Sequence, residues 1–133
     1  MQTFTKVVTE KELLFTLIAS HLNICPKVLS YQGEIMIIQK YPRVLIDEPS
    51  WSKYQMKIVN LVQQLHAIGI LHADISEENI VLNPITQEVR LIDFGMSRWI
   101  EDIQTHELNE YYSYREELNS TAELLQAEIN EVA

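Results

Sequence analysis

The sequence predicts a mixed α+β domain, and the periodicity of its apolar residues carries this prediction. Apolar residues recur at spacings of three and four over residues 10–22 and 51–68, which is typical of amphipathic helices. Short runs rich in Ile, Val and Leu lie between and after these helices, at 27–41 and 79–92, and are typical of strands. The 133 residues are enough to bury one core, so we expect a single domain over 1–133.

Residues 10–22 form the first predicted helix. Thr9 can cap its first turn, and Glu12, three residues later, completes a capping-box pattern. Pro26 prevents the helix from continuing. Its apolar stripe, the pattern of a core-facing helix, consists of Leu13, Leu14, Leu17, Ile18 and Leu22.

The next elements are a hairpin and a connector. The extended runs 27-KVLSYQ-32 and 34-EIMIIQKY-41 flank Gly33, which predicts a turn between two strands. The segment 42-PRVLIDEPS-50, with prolines near both ends, is predicted to be a connector.

Residues 51–68 form the longest predicted helix, with Ser50 as its N-cap and Gly69 where a left-handed residue would end it. Its apolar positions are Tyr54, Ile58, Leu61, Val62, Leu65 and Ile68. Two short strands follow at about 79–83 and 88–92, separated by turn residues at 83–84, and a last short helix begins near Ser120.

The distribution of charge limits the classes of partner. The formal net charge is −9, and residues 101–133 carry −8 of it through nine acids and one base, Arg115. Nucleic acid would be repelled, so we do not expect it as a ligand. A basic peptide or protein would be attracted, although a solvated acidic face that keeps the protein soluble explains the same charge.

Targeting and cysteine content add further limits. No apolar run approaches the ~20 residues of a membrane span, and the N-terminus MQTFTKVVTEKE does not have the pattern of a signal peptide. Cys25 is the single cysteine, which excludes a disulfide framework and a cysteine metal cluster. These features agree with a reducing cytoplasm, and they assign no oligomeric state.

Three polar side chains interrupt the apolar stretch 70-ILHADISEENIVLNPITQEVRLIDFG-95. Asp74 and Asn79 bracket a loop before a strand, and Asp93 ends the next strand, so a hairpin would bring all three to one edge. Two hard-oxygen ligands with room for water and phosphate oxygens suit Mg²⁺, and a third group could accept a proton from an attacking hydroxyl. Because Asp and Asn are also common turn residues, plain turns are the alternative explanation.

These residues lie in two recognisable motifs. The segment 72-HADISEEN-79 resembles the catalytic loop of protein kinases, H-x-D-x-x-x-x-N, and 91-LIDFG-95 resembles their metal-binding D-F-G. Ala73 and Ser76 make the loop most similar to the atypical RIO kinases and the small kinase of the KEOPS complex, although RIO kinases usually lack a regular D-F-G. Aminoglycoside and choline phosphotransferases share the same loop pattern.

The resemblance extends over roughly residues 10–97. The segment 12–29 is similar to the kinase αC helix and the element after it, which places Glu12 at the αC glutamate. The run 34–41 resembles the strand that leads into the hinge, and the helix 51–68 resembles the one that precedes the catalytic loop. The resemblance therefore implies a reduced kinase-like core with a partial N-lobe and a partial C-lobe.

The resemblance also implies roles for individual residues. Asp74 would position or deprotonate a substrate hydroxyl, while Asn79 and Asp93 would hold Mg²⁺ against the phosphates of ATP. His72 and Phe94 are expected to be structural and to pack the loop onto the core.

The resemblance is incomplete at both ends. Only eight or so residues precede the αC-like helix, too few for a Gly-rich hairpin and the lysine strand, and no G-x-G-x-x-G occurs. Lys6, within the strand-compatible 4-FTKVV-8, is the candidate to pair with Glu12 and contact phosphate; without a partner, Glu12 would be only the capping-box acid. Only 38 residues follow Gly95, without an A-P-E motif, and Ala73 replaces the arginine that receives a phosphorylated activation loop.

Three hypotheses of function follow. The first is a miniature atypical kinase that moves the γ-phosphoryl group of ATP to a Ser/Thr hydroxyl with Mg²⁺, and retention of Asp74, Asn79 and Asp93 favours it. The second is a catalytically weak or inactive kinase mimic, for which a virus is one source, that binds and modulates another kinase; loss of the phosphate-covering loop favours it, since positioning supplies much of the rate. The third is a small-molecule phosphotransferase. The expected partners are ATP and a protein substrate or a partner kinase.

Overall fold

The computed structural model of the chain describes residues 1–43 and 48–102. Within these ranges a three-stranded sheet with one helix adjoins a longer helix with two small antiparallel ladders, which confirms the predicted α+β class. The elements are β1 (Thr3–Val7), α1 (Glu10–His21), β2 (Val28–Gln32), β3 (Ile35–Gln39), α2 (Glu48–Ala67), β4 (Ile70–Leu71), β5 (Ile80–Asn83), β6 (Glu88–Leu91) and β7 (Arg98–Trp99).

The three-stranded sheet has the order β1-β3-β2, and both of its pairings are antiparallel. Gly33 turns the β2–β3 hairpin with a φ of 59°, a conformation that favours glycine. The structure corrects one expectation, since the few residues before α1 do suffice for a lysine-bearing strand. β1 pairs fully with β3, and Lys6 lies opposite Met36.

Helix α1 begins where the sequence predicts, and Thr9 Oγ1 accepts a hydrogen bond of 3.1 Å from the amide of Glu12. The predicted core-facing stripe is confirmed only in part: Leu13 and Ile18 pack against the core, but Leu14 and Leu22 are 47% and 39% exposed. The face that is buried instead consists of Glu12, Phe15, Thr16 and Ala19. Its residues also follow a spacing of three and four: Phe15 and Ala19 are fully buried, and Glu12 on the same face contacts Lys6 of β1.

Helix α2 begins at Glu48, three residues earlier than the sequence predicts. The predicted cap at Ser50 is wrong because that residue lies inside the helix, after Pro49. A proline fits the first turn, where its missing N–H would have no intrahelical partner. The other end agrees with the prediction: Gly69 has a φ of 85°, and its amide donates to the carbonyl of His66 at 3.0 Å.

The β5–β6 hairpin forms at the predicted place, and its turn is held by Asn83 Oδ1, which accepts from the amides of Ile85 and Thr86. The ladder between β4 and β7 was not predicted, because strands of two residues carry no periodicity. The helix predicted near Ser120 lies outside the described residues. No helix within 1–43 and 48–102 is long and apolar enough to cross a bilayer.

The main hydrophobic core joins α1, α2 and the two small antiparallel ladders, β4–β7 and β5–β6. A smaller cluster lies under the three-stranded sheet. Phe15 is fully buried in the main core, and its ring packs against Trp99 at a centroid distance of 5.0 Å. The amide of Leu91 donates to the carbonyl of Ile24 at 2.8 Å and so links β6 to the chain after α1. This link holds the end of β6 close to α1.

The orientation of α1 can be tested by two matched truncations. Phe15→Ala should lower the free energy of unfolding by about 3–5 kcal/mol, because it leaves a cavity in the main core. Leu14→Ala should lower it by less than about 1 kcal/mol, since Leu14 is 47% exposed. Urea denaturation measures both values. A larger loss for Leu14→Ala than for Phe15→Ala would mean that the helix packs through the other face.

Candidate active site

The site begins with a lysine on β1. Side chains alternate along a strand, so Lys6 and Phe4 are directed to the same face of the sheet. Lys6 Nζ donates to Glu12 Oε2 of α1 at 2.5 Å and lies 3.4 Å from Asp93 Oδ1. Glu12 is only 8% exposed. One cation therefore connects the sheet, the helix and the segment that follows β6.

The protonation of Lys6 follows from its neighbours. Burial alone would lower the pKa of Lys6, but the hydrogen bond to Glu12 and the charge of Asp93 outweigh it, so the pKa lies above its usual 10.5. A raised pKa means that these contacts stabilise the fold fully below pH 10.5 and are lost only as the pH passes the higher folded value. Lys6 is therefore a cation at neutral pH.

His72 fixes the loop that carries Asp74. Its ring is fully buried, Nδ1 accepts from the amide of Asp74 at 3.0 Å, and Nε2 lies 2.9 Å from the carbonyl of Ile92. These partners require a neutral ring with the proton on Nε2. The ring also meets Phe94 edge-on at 4.9 Å. Both residues pack the loop against the segment after β6, as expected of structural residues.

Asn79 connects the two ends of the same loop. Its Nδ2 donates to the carbonyl and to Oδ2 of Asp74, each at 3.0 Å. The backbone carbonyl of Asn79 accepts a hydrogen bond of 2.9 Å from the backbone amide of Ile92, which ties the loop to the end of β6. Asp74 and Asn79 are thus in direct contact, and Asn79 and Asp93 line one cavity.

The backbone at the site is held in an unusual conformation. Ala73 and Asp93 have φ angles of 69° and 62°, in the left-handed region that costs a non-glycine residue about 1–3 kcal/mol. The amide of Gly95 donates to Asp93 Oδ1 at 3.1 Å. A Cβ on Gly95 would lie 3.1 Å from Asp93 Oδ1 and 3.3 Å from Glu12 Oε1. Glycine therefore leaves room for two carboxylates to approach Lys6 together.

Two adjoining cavities open beside these residues. The acidic cavity, of about 180 Å³, has five charged residues in its lining, Lys6, Glu12, Arg43, Glu78 and Asp93. The connector cavity, of about 580 Å³, runs along residues 39–43. The two share Phe4, Arg43 and Ile92, so an elongated ligand could occupy both.

The donor atoms of the acidic cavity fit a hard divalent cation. The hydrogen bonds made by Gly95 and Lys6 use Oδ1 of Asp93 and leave Oδ2, while Nδ2 of Asn79 is taken by Asp74 and leaves Oδ1. Two such oxygens suit Mg²⁺, which keeps water or phosphate oxygens in its other positions. Among residues 1–43 and 48–102 no group of three or more His, Cys, Asp and Glu could enclose a metal by itself.

Cys25 also lines the acidic cavity, but its chemistry is unfavourable for a nucleophile. Burial raises the pKa of its thiol to about 12, and Sγ donates to the carbonyls of Thr16 and Pro26. The thiol is therefore protonated at neutral pH and fills space.

Comparison with known proteins identifies this arrangement. The family model of the protein kinase domain matches residues 6–123. The chain belongs to the protein kinase family. Its β1 begins before the match, and Lys6 is the first residue inside it.

Individual kinases match over shorter stretches. The chain is 33% identical over 60 residues to serine/threonine-protein kinase pim-2 of Danio rerio, which is 45% of this chain and 19% of that protein. It is 29% identical over 76 residues to the hormonally up-regulated neu tumor-associated kinase of Mus musculus, covering 57% of this chain and 10% of that one. It is 31% identical over 81 residues to the probable serine/threonine-protein kinase fnkE of Dictyostelium discoideum, covering 59% of this chain and 6% of that one. The chain therefore spans a fifth or less of these relatives.

A solved structure is similar in fold. The Cydia pomonella Granulovirus kinase PK-1 superposes with a TM-score of 0.60 at 13% identity, covering 80% of this chain and 50% of that one. At this identity the similarity concerns the fold alone.

The sequence predicted Glu12, Asp74, Asn79 and Asp93, but Glu78 and Arg43 of the cavity lining were missed. Lys6, the candidate partner of Glu12, does contact it although only six residues separate the two along the chain. Arg43 was not singled out at all. Its only signal was its position directly after Pro42, next to the run that resembles the strand before the hinge.

The contact between Lys6 and Glu12 can be measured by a double-mutant cycle. Lys6→Met and Glu12→Gln should each destabilise the fold, and their effects should be non-additive by about 1–2 kcal/mol, because either change removes the same charge-assisted hydrogen bond. Urea denaturation of the four proteins gives the coupling energy. Lys27→Met, an exposed lysine outside both cavities, should add to Glu12→Gln within about 0.5 kcal/mol. If the effects of Lys6→Met and Glu12→Gln also added within about 0.5 kcal/mol, the contact between Lys6 and Glu12 would contribute nothing to stability.

Proposed function

We propose that the chain binds Mg²⁺–ATP in the two adjoining cavities and transfers the γ-phosphoryl group to a Ser or Thr hydroxyl of a protein. The observation that carries this proposal is the placement of Lys6 Nζ between Glu12 Oε2, at 2.5 Å, and Asp93 Oδ1, at 3.4 Å. A purely structural lysine–glutamate pair would not need a third, partly exposed carboxylate beside it.

The charges of the site suit this ligand. Lys6 would contact the phosphates, with Glu12 holding its side chain in place. Asn79 and Asp93 would hold Mg²⁺, which would bridge the phosphates and neutralise part of their charge. The connector cavity, beside the hinge-like run 39–43, would take the base.

Asp74 is proposed as the residue that meets the substrate. Its amide is held by His72 and its carboxylate Oδ2 by Asn79, so its position is fixed without a direct contact to Lys6. In this role it orients the attacking hydroxyl and accepts its proton as the oxygen bonds to phosphorus and ADP leaves.

The same proposal includes the type of kinase, the kind of protein partner and the cellular compartment. Ala73 and Ser76 in the loop support an atypical kinase of the RIO or KEOPS type, with residues 1–133 belonging to one kinase-like domain. The acidic segment 101–133 supports a basic protein substrate or partner. A reducing cytoplasm suits the free thiol of Cys25.

One observation favours a second candidate, a kinase mimic that binds and modulates another kinase. β1 forms an edge of its three-stranded sheet, so within 1–43 and 48–102 nothing pairs with it on the side away from β3. Within the same residues no strand pair is placed to cover the phosphates of a bound nucleotide. Phosphoryl transfer depends strongly on how these phosphates are positioned. A mimic would bind nucleotide or a partner without transfer.

Two substitutions separate binding from transfer. Asp93→Ala should abolish the rise in melting temperature that Mg²⁺–ATP gives, because it removes a proposed metal ligand. Asp74→Asn should keep that rise but lower phosphoryl transfer by ~10²-fold or more, since it removes only the proton acceptor. The measurements are thermal denaturation with and without EDTA, and transfer from radiolabelled ATP to a basic protein.

The outcomes distinguish the candidates. A wild-type chain that binds Mg²⁺–ATP without transfer to itself or to any protein tested would favour the mimic. An Asp74→Asn chain that transfers as fast as wild type would contradict the role of Asp74. An equal thermal shift in EDTA would mean that Asn79 and Asp93 do not hold a metal.

A further inference from the structure

Arg43 lies at the junction of the acidic cavity and the connector cavity. It lines both, together with Phe4 and Ile92. Its backbone is anchored, because Arg43 forms an antiparallel bridge with Val81, and the preceding carbonyl, that of Pro42, accepts from the amide of Leu82 at 2.8 Å. The root of an otherwise exposed side chain is therefore fixed at the point where a ligand would pass from one cavity to the other.

Among the residues whose side chains the structure describes, 1–43 and 54–102, the side chain of Arg43 makes no ion pair. Lys6, the other cation of the acidic cavity, already contacts Glu12 and Asp93. With two cations against three carboxylates the lining has a formal charge of −1, and it would have −2 without Arg43. A polyphosphate needs positive charge here that Lys6 alone does not supply.

We infer that Arg43 is a phosphate-binding residue, which contacts the phosphate chain of a nucleoside triphosphate as it runs from the connector cavity into the acidic cavity. This inference rests on the proposed function, because it requires a nucleotide in these cavities. The planar guanidinium can bind two phosphate oxygens at once. A cation from the connector thereby adds to the charge that Lys6 supplies in the acidic cavity.

The inference separates ligands by their phosphates. Isothermal titration calorimetry with ATP and with adenosine, both in Mg²⁺, should show that Arg43→Gln weakens ATP binding by about tenfold or more, because a charge-assisted contact is lost. Adenosine, which has no phosphate, should bind as it does to wild type. Arg43→Lys should recover part of the affinity for ATP, and tripolyphosphate should compete with ATP less well in Arg43→Gln.

Lys27→Gln is the matched control, because it removes the same charge from an exposed position outside both cavities and should leave ATP binding unchanged. ATP binding by Arg43→Gln at the wild-type affinity would overturn this inference and leave the proposed function intact. An equal loss of ATP and adenosine would also overturn it, since the change would then act on the cavity as a whole. A wild-type chain that binds neither ligand would overturn both.

Discussion

The contact of Lys6 with Glu12 and Asp93 is the interaction on which the rest of the site depends. Its three residues come from β1, α1 and the segment after β6. Glu12 lies on the buried face of α1, and the contact draws its carboxylate towards Lys6. A single cation thus links the sheet, the helix and the carboxylate of Asp93.

A second set of contacts holds the loop 72–79 without using that cation. His72 binds the amide of Asp74 and the carbonyl of Ile92, and Asn79 binds Asp74 and the amide of Ile92. These bonds support left-handed φ angles at Ala73 and Asp93 that the chain would otherwise avoid. The strained residues are Ala73, directly before Asp74, and Asp93 itself. The strained backbone therefore carries the two carboxylates, and the surrounding hydrogen bonds keep both of them in place.

How much of this could be predicted depends on how local each signal is. The loop 72–79 and the segment 91–95 were found from the sequence, because their polar residues stand at fixed spacings within apolar strands. The turns of the β2–β3 and β5–β6 hairpins were predicted from Gly33 and Asn83, and the C-terminal end of α2 from Gly69, because the chemistry of each residue sets its conformation.

The rest depended on contacts between distant elements. The predicted stripe on α1 is more apolar than the buried face, so periodicity alone placed the exposed Leu14 and Leu22 in the core and left out Phe15 and Ala19. The start of α2 was misplaced because Pro49 marks a first turn as readily as a break. The position of Arg43 directly after Pro42 did not reveal its role, since its backbone is anchored beside two cavities by a bridge to Val81, 38 residues along the chain.

The central claim is that Asp93 and Asn79, brought beside the Lys6–Glu12 pair, hold the metal of a bound nucleotide. The most direct measurement is the ¹H–¹⁵N spectrum of the labelled chain titrated with Mn²⁺–ATP, because the paramagnetic ion broadens the signals nearest to it. The account predicts that the amide of Gly95 and the side-chain amide of Asn79 disappear first, while the amide of Thr86 in the β5–β6 turn persists. Loss of the Thr86 signal with the signals of Gly95 and Asn79 intact would contradict it.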